Sequence, residues 1–264
     1  MSLFFMVNEM TEIVTDQINI DQLRQEIRAP VEFLITRLQE DLGDNLQSLC
    51  VVGSALTDDF DPKHSDINTV ITVSRRTHQH LKLLAGYGPK MGKLKLRAPL
   101  LMTPEYISQS LDVFGVEFLD FQLNHAVVYG PDPFAEFTFR KEDIRLQCER
   151  QLKAALINLR QGYIRAQGKP KLVGELLLAC VAELTILMRA MLWLTDGERD
   201  RLALPTLQKA ADKFEFDADK ITDLMKMKLQ HHRPEIDQVE KIFENIYQVI
   251  DHLAHRVDQL QNKS

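Results

Sequence analysis

The 264-residue chain divides by the rhythm of its hydrophobic positions. Over residues 21–42, Ile27, Val31, Leu34, Leu38 and Leu42 recur three and four apart, which predicts an amphipathic helix. Pro30 falls inside that pattern and should kink or divide it, because proline removes an N–H and crowds the preceding turn. Gly43 is a helix stop. The rhythm then shortens. Residues 46–52 and 67–73 read as strands, and the second is dense enough in β-branched side chains to be the central one. Residues 77–84 read as a helix. The segment 94–102 is ambiguous, with Pro99 pointing to an edge or broken strand. Thr103-Pro104-Glu105 has the capping chemistry of a helix start. Residues 113–121 and 126–129 read as two further strands, stopped by Gly130-Pro131-Asp132-Pro133.

After Phe139 the period is helical throughout, with segments over 144–166, 171–195, 204–214, 218–230 and 235–260. The second of these is apolar almost all round, as the innermost helix of a bundle must be. The fold class is therefore α+β: a small mixed β-sheet domain with flanking helices over residues 1–139, then an all-α helical-bundle domain over residues 140–264.

Composition narrows the classes. With 45% hydrophobic residues the chain can bury one large core or two modest ones. A net charge of −6 argues against broad nucleic-acid binding, though a local basic site for a triphosphate remains open. Cys50, Cys148 and Cys180 form no paired spacing and read as free thiols in a reducing, cytoplasmic setting, with Cys50 and Cys180 as packing residues. Met1 to Glu9 has no basic flank and too short an apolar run for a secretory signal. Residues 172–194 are interrupted by Glu175, Glu183 and Arg189, so they predict a bundle helix and no membrane span.

The candidate chemistry lies early. Val51-Val52-Gly53-Ser54 ends a strand in a small, hydroxyl-bearing turn, and Ser65-Asp66-Ile67-Asn68 opens the next strand. Gly53-Ser54 alone reads as a turn; joined to Ser65-Asp66 it reads as a site. Gly53 would let backbone approach a phosphate, and Ser54 could donate to one. Asp66 and Asn68 stand two apart on a strand and so face the same way, which suits shared metal ligation. Lys63 and His64 could touch a phosphate or simply be solvated. Asp58-Asp59-Phe60-Asp61 reads as a solvated turn, and Pro89-Lys90-Met91-Gly92-Lys93 as a loop with solubilising lysines. His231-His232 and the His252/His255 pair read as exposed helix histidines, since a metal site would need them to converge with further ligands.

These motifs resemble the signature of the nucleotidyltransferase superfamily, the group related to DNA polymerase beta. In that signature an apolar strand ends in Gly-Ser, and a second strand carries Asp, an apolar residue and a second carboxylate. Here Asn68 stands where the second carboxylate belongs. Val127-Val128-Tyr129-Gly130-Pro131-Asp132-Pro133-Phe134 is similar to the segment that closes such domains. The helical half is ordered like the one that follows the catalytic domain in aminoglycoside nucleotidyltransferases. The resemblance implies a nucleoside triphosphate held with Mg²⁺ through Gly53, Ser54, Ser65 and Lys63, and transfer of a nucleoside monophosphate to a hydroxyl of a small-molecule or protein acceptor. It implies metal ligation by Asp66, Asn68 and Glu117, with Asp66, Glu117 and Asp120 as the candidate catalytic carboxylates. Glu117 and Asp120 lie three apart, so on a regular strand only one of them faces the site. Two outcomes follow from Asn68: a working enzyme with weakened metal binding, or a degenerate member that binds a nucleotide or a partner and does not turn over. The long C-terminal helix offers a face for a homodimer.

Overall fold

A computed structural model describes residues 18–260. The N-terminal stretch read above as no secretory signal lies outside the described residues.

Chain packing forms two units, each discontinuous in sequence. The first comprises the described part of Met1–Val51 with Ile67–Pro104 and Ala126–Pro133. The second comprises Val52–Asp66, Glu105–His125 and the described part of Phe134–Ser264.

The first unit is built on a four-stranded sheet. Strands β1 (Leu46–Val52), β2 (Asn68–Val73), β3 (Leu100–Met102) and β4 (His125–Tyr129) lie in the order β3-β2-β1-β4. β2 and β3 run parallel, with Val70 opposite Leu100 and Thr72 opposite Met102. Parallel neighbours need a crossover, and helix α2 (His78–Lys93) supplies it. β1 and β2 are buried along almost their whole length, which explains why they read as apolar runs without alternation. Two small hydroxyls, Ser48 and Thr72, bond each other inside that interior.

Helix α1 (Gln25–Leu42) runs through Pro30, so the proline does not divide it. Pro30 sits early in the helix and forfeits one backbone bond. Burial of Ile27, Val31, Leu34, Ile35 and Leu38 outweighs that loss, at roughly 1.5–3 kcal/mol for each fully buried side chain. α2 also runs further than its sequence suggests. The stretch expected as a lysine loop is its last turn, anchored by the buried Met91. After β4 the chain turns at Gly130, whose φ is 72° and whose absent Cβ would stand 1.8 Å from the Gln47 carbonyl oxygen. Only glycine fits there.

The second unit is helical. A short 3₁₀ turn (Gly53–Leu56) leads to a loop ending at Asp66. Then come α3 (Pro104–Ser108) and α4 (Gly115–Leu123), followed by α5 (Lys141–Ala166), α6 (Pro170–Leu194), α7 (Ala203–Phe214), α8 (Asp219–Leu229) and α9 (Val239–Gln259). α4 overturns the strand expected at 113–121. A short apolar run does not reveal its period. Here Val116 and Leu119 join the helical core, while Glu117 and Asp120 find partners on α5 and α6.

α6 is long and apolar enough to cross a membrane by length and composition, yet 61% of its most apolar stretch is buried within the protein. It packs against α4, α5, α7, α8 and α9. The three cysteines are free; Cys50 and Cys148 are buried, and Cys180 is half-buried. Burial pushes the Cys180 thiol up to about 12, so it packs as a small apolar group.

Candidate functional site

The Gly-Ser turn is firmly built. β1 ends at Val52, and Gly53 takes a left-handed φ of 79°, a conformation that L side chains adopt only at a cost. Its N–H donates to the carbonyl of Asn124, the residue that caps α4, at 2.8 Å. Arg201 braces the same turn. Its Nε donates to Asn124 Oδ1 at 3.1 Å, and its Nη2 reaches the Leu56 carbonyl at 3.3 Å. Thr57 Oγ1 donates to the Ser54 carbonyl at 3.1 Å and closes the turn. The Ser54 residue is exposed and so open to a ligand.

The acidic loop that follows is not a solvated turn. Asp59 Oδ2 accepts from the Ala203 N–H at 2.7 Å and so caps the start of α7, a helix whose own N-cap, Leu202, has no side chain able to do this. Burial is the main reason the Asp59 carboxyl is pushed above the usual carboxylate range. Asp61 and Ser65 lock the far end of the loop. The Ser65 N–H donates to the Asp61 carbonyl at 2.8 Å, and the Asp61 N–H donates to Ser65 Oγ at 3.1 Å. Lys63 is exposed, and its backbone N–H donates to Asp61 Oδ1 at 2.7 Å.

Asp66 is exposed, and among the described residues none bonds its carboxylate. Ile67 makes a parallel bridge to Leu96, its N–H donating to the Lys95 carbonyl and its carbonyl accepting from the Arg97 N–H. Asn68 opens β2 and is half-buried. Arg97, exposed, follows Leu96, and the chain gains one residue on the β3 side before Val70 meets Leu100.

The two candidates for a third carboxylate are already engaged. Glu117 lies on α4 and accepts from the side-chain amides of Gln147 and Gln151, the latter at 2.9 Å. Asp120, one helical turn on, is 7% exposed and accepts from Arg189 at 2.8 Å. Arg189 is 8% exposed and also donates to the Asp200 and Arg201 carbonyls. The expectation that one of the pair would face away as an exposed strand residue rested on the wrong element. On a helix, residues three apart share a side, and both are held by neighbouring helices. Hydrophobic spacing gives Arg201, Asn124 and Arg189 no positioning role, and the acidic loop's reading as a solvated turn hides that of Asp59. The signal lay in the charged run Glu198-Arg199-Asp200-Arg201 between two apolar helices.

Two Mg²⁺ ions demand several anionic oxygens held on rigid elements. Among the described residues, none of the four strands carries an Asp or Glu. The lead-in to β3, beside β2, brings the cations Lys95 and Arg97. The carboxylate of Asp66 and the neutral amide oxygen of Asn68 do not fit a pair of divalent ions.

No protein-family model matches the chain, and no curated protein matches it. Among solved structures it is similar to spectinomycin adenyltransferase AAD(9) from Enterococcus faecialis, determined with ATP and spectinomycin. The two share 13% sequence identity, with a TM-score of 0.55 over 87% of this chain and 98% of that one. The fold is nucleotidyltransferase-like. At this identity the likeness extends to architecture alone.

Proposed function

We propose that this chain uses its nucleotidyltransferase-like fold to bind a nucleotide without carrying out two-metal nucleotidyl transfer. The observation that carries this reading is the acid-free sheet. Where a metal pair would require carboxylates, β2 opens on Asn68, and the segment bridged to Ile67 continues into Arg97. A cation there opposes a second cation and favours a phosphate oxygen. The nucleotide itself is supported by the braced Gly53–Leu56 turn with its exposed Ser54, and by a fold shared with a protein whose structure holds ATP. Asp66 is left as the one free carboxylate of the motif. It suits a Mg²⁺ brought in with the triphosphate, since such ions are commonly shared between one carboxylate and phosphate oxygens. A cytoplasmic setting agrees with three unpaired thiols.

A pyrophosphate-release assay with each of the four nucleoside triphosphates and Mg²⁺ tests this. The wild-type chain should release no pyrophosphate above the no-protein control. Release that needs Mg²⁺ and disappears in Asp66→Ala would establish a working transferase instead.

A further inference from the structure

We infer that Asp61, His64 and His231 form a binding site for a divalent transition metal, separate from Asp66 and Asn68. All three belong to the helical unit. Their ligand atoms lie within 4.8 Å of one another. His64 Nδ1 is 2.8 Å from Asp61 Oδ2, and His231 Nε2 is 3.8 Å from the same oxygen. Bonds of about 2.0–2.2 Å to nitrogen and carboxylate oxygen place tetrahedral ligand atoms roughly 3.3 Å apart. The two separations from Asp61 Oδ2 bracket that spacing and the third lies within 4.8 Å, so side-chain rotations can bring all three onto one ion.

The backbone arranges these ligands. Asp61 spends Oδ1 on the Lys63 N–H, which turns Oδ2 toward both histidines. The bonds between Asp61 and Ser65 hold His64 in a closed five-residue turn. His231 follows the end of α8 with a left-handed φ of 54°, a conformation costly for a branched or bulky residue and one that histidine tolerates better than most. The two imidazoles stack with centroids 4.5 Å apart. Once an ion displaces the proton shared by His64 Nδ1 and Asp61 Oδ2, two imidazole nitrogens and one carboxylate oxygen make a donor set suited to Zn²⁺, Co²⁺ or Ni²⁺ and poorly suited to Mg²⁺. Three protein ligands leave a fourth position open to water or to an anionic oxygen.

The consequence is structural. Asp61 and His64 sit in the loop that leads from the Gly-Ser turn to Asp66, and His231 in the turn after α8. A bound ion would fasten one to the other and fix the course of that loop. The inference does not rest on the nucleotide-binding reading.

The test is a titration of the full chain with Zn²⁺ against a chromophoric chelator, paired with Co²⁺ absorption to report the ligand field. One ion should bind per chain, and excess Mg²⁺ should not displace it. His231→Ala and Asp61→Asn should each weaken binding by at least about tenfold, the scale on which even residues supporting a metal ligand act. Asp66→Ala and His255→Ala should leave binding unchanged. Melting curves without metal identify any variant that fails to fold, and His64→Gln then provides a third arm. Absence of stoichiometric Zn²⁺ binding, or binding that survives both His231→Ala and Asp61→Asn, would overturn the assignment. Loss in Asp66→Ala with retention in His231→Ala would also overturn it, and would move the ion to the nucleotide motif.

Discussion

The two halves of the nucleotide motif are built very differently. The Gly53–Leu56 turn is held by Asn124, Arg201 and Thr57, and the loop beyond it by the cap that Asp59 places on α7. The Asp66–Asn68 segment has an exposed carboxylate without a bonded partner among the described residues, an amide in place of an acid, and an arginine next to the residue that bridges Ile67. The difference teaches that scaffold and chemistry rest on different residues. The bonds that shape the turn serve the fold whatever is bound, whereas metal ligands serve only the reaction. A chain can therefore keep the first set and lack the second.

The largest effect that could break this comparison concerns Asp120. If it pairs structurally with Arg189, Asp120→Ala leaves a guanidinium charge buried without its partner. The helical unit should then lose about 3–5 kcal/mol, read by denaturant unfolding. A variant of unchanged stability that loses nucleotide binding would return Asp120 to the nucleotide site. Next in size is Arg201→Ala, which removes two bonds from a charged donor, one to Asn124 and one to the Leu56 carbonyl of the turn. It should cost about 1.5–3 kcal/mol and speed amide exchange at Gly53. Undisturbed exchange there would mean that the turn does not depend on this brace. Asp59→Ala should cost about 1 kcal/mol through loss of the α7 cap.

The smallest effect is a pH dependence. The Asp59 carboxyl is held above its ordinary value of 3.8, chiefly by burial. A raised folded value means that its contribution is fully present below the unfolded value and is lost as pH rises through the folded one. Asp59→Asn keeps an acceptor for the Ala203 N–H and removes the buried charge. It should match or slightly exceed wild-type stability at pH 7 and flatten the decline just above pH 3.8. A loss as large as that of Asp59→Ala would show that the charge itself, at the positive end of α7, is what stabilises.

Much of this was legible in the residues. β1 and the helices from α5 onward lie close to where hydrophobic spacing puts them, because their burial is one-sided or complete and the period follows burial. The turn at Gly53-Ser54 was visible because glycine before a small hydroxyl residue, after an apolar strand, has few other uses. The stretch 113–121 was not legible. Its apolar residues are nearly continuous, and only packing against α5 and α6 settles that Glu117 and Asp120 belong to a helix. The cluster of Asp61, His64 and His231 joins residues more than 160 positions apart, a distance over which no local spacing can speak. Arg97 was hidden for a third reason: its meaning depends on the parallel bridge between Ile67 and Leu96, which no pattern in either segment announces.

The most direct test of the central claim is calorimetric titration of the wild-type chain with ATP, in the presence and absence of Mg²⁺. Binding should be detected without the metal, and its affinity should change by less than about tenfold, or 1.4 kcal/mol, when Mg²⁺ is added. Binding seen only with Mg²⁺ would contradict the account and show that Asp66 and Asn68 suffice for a metal-dependent nucleotide site.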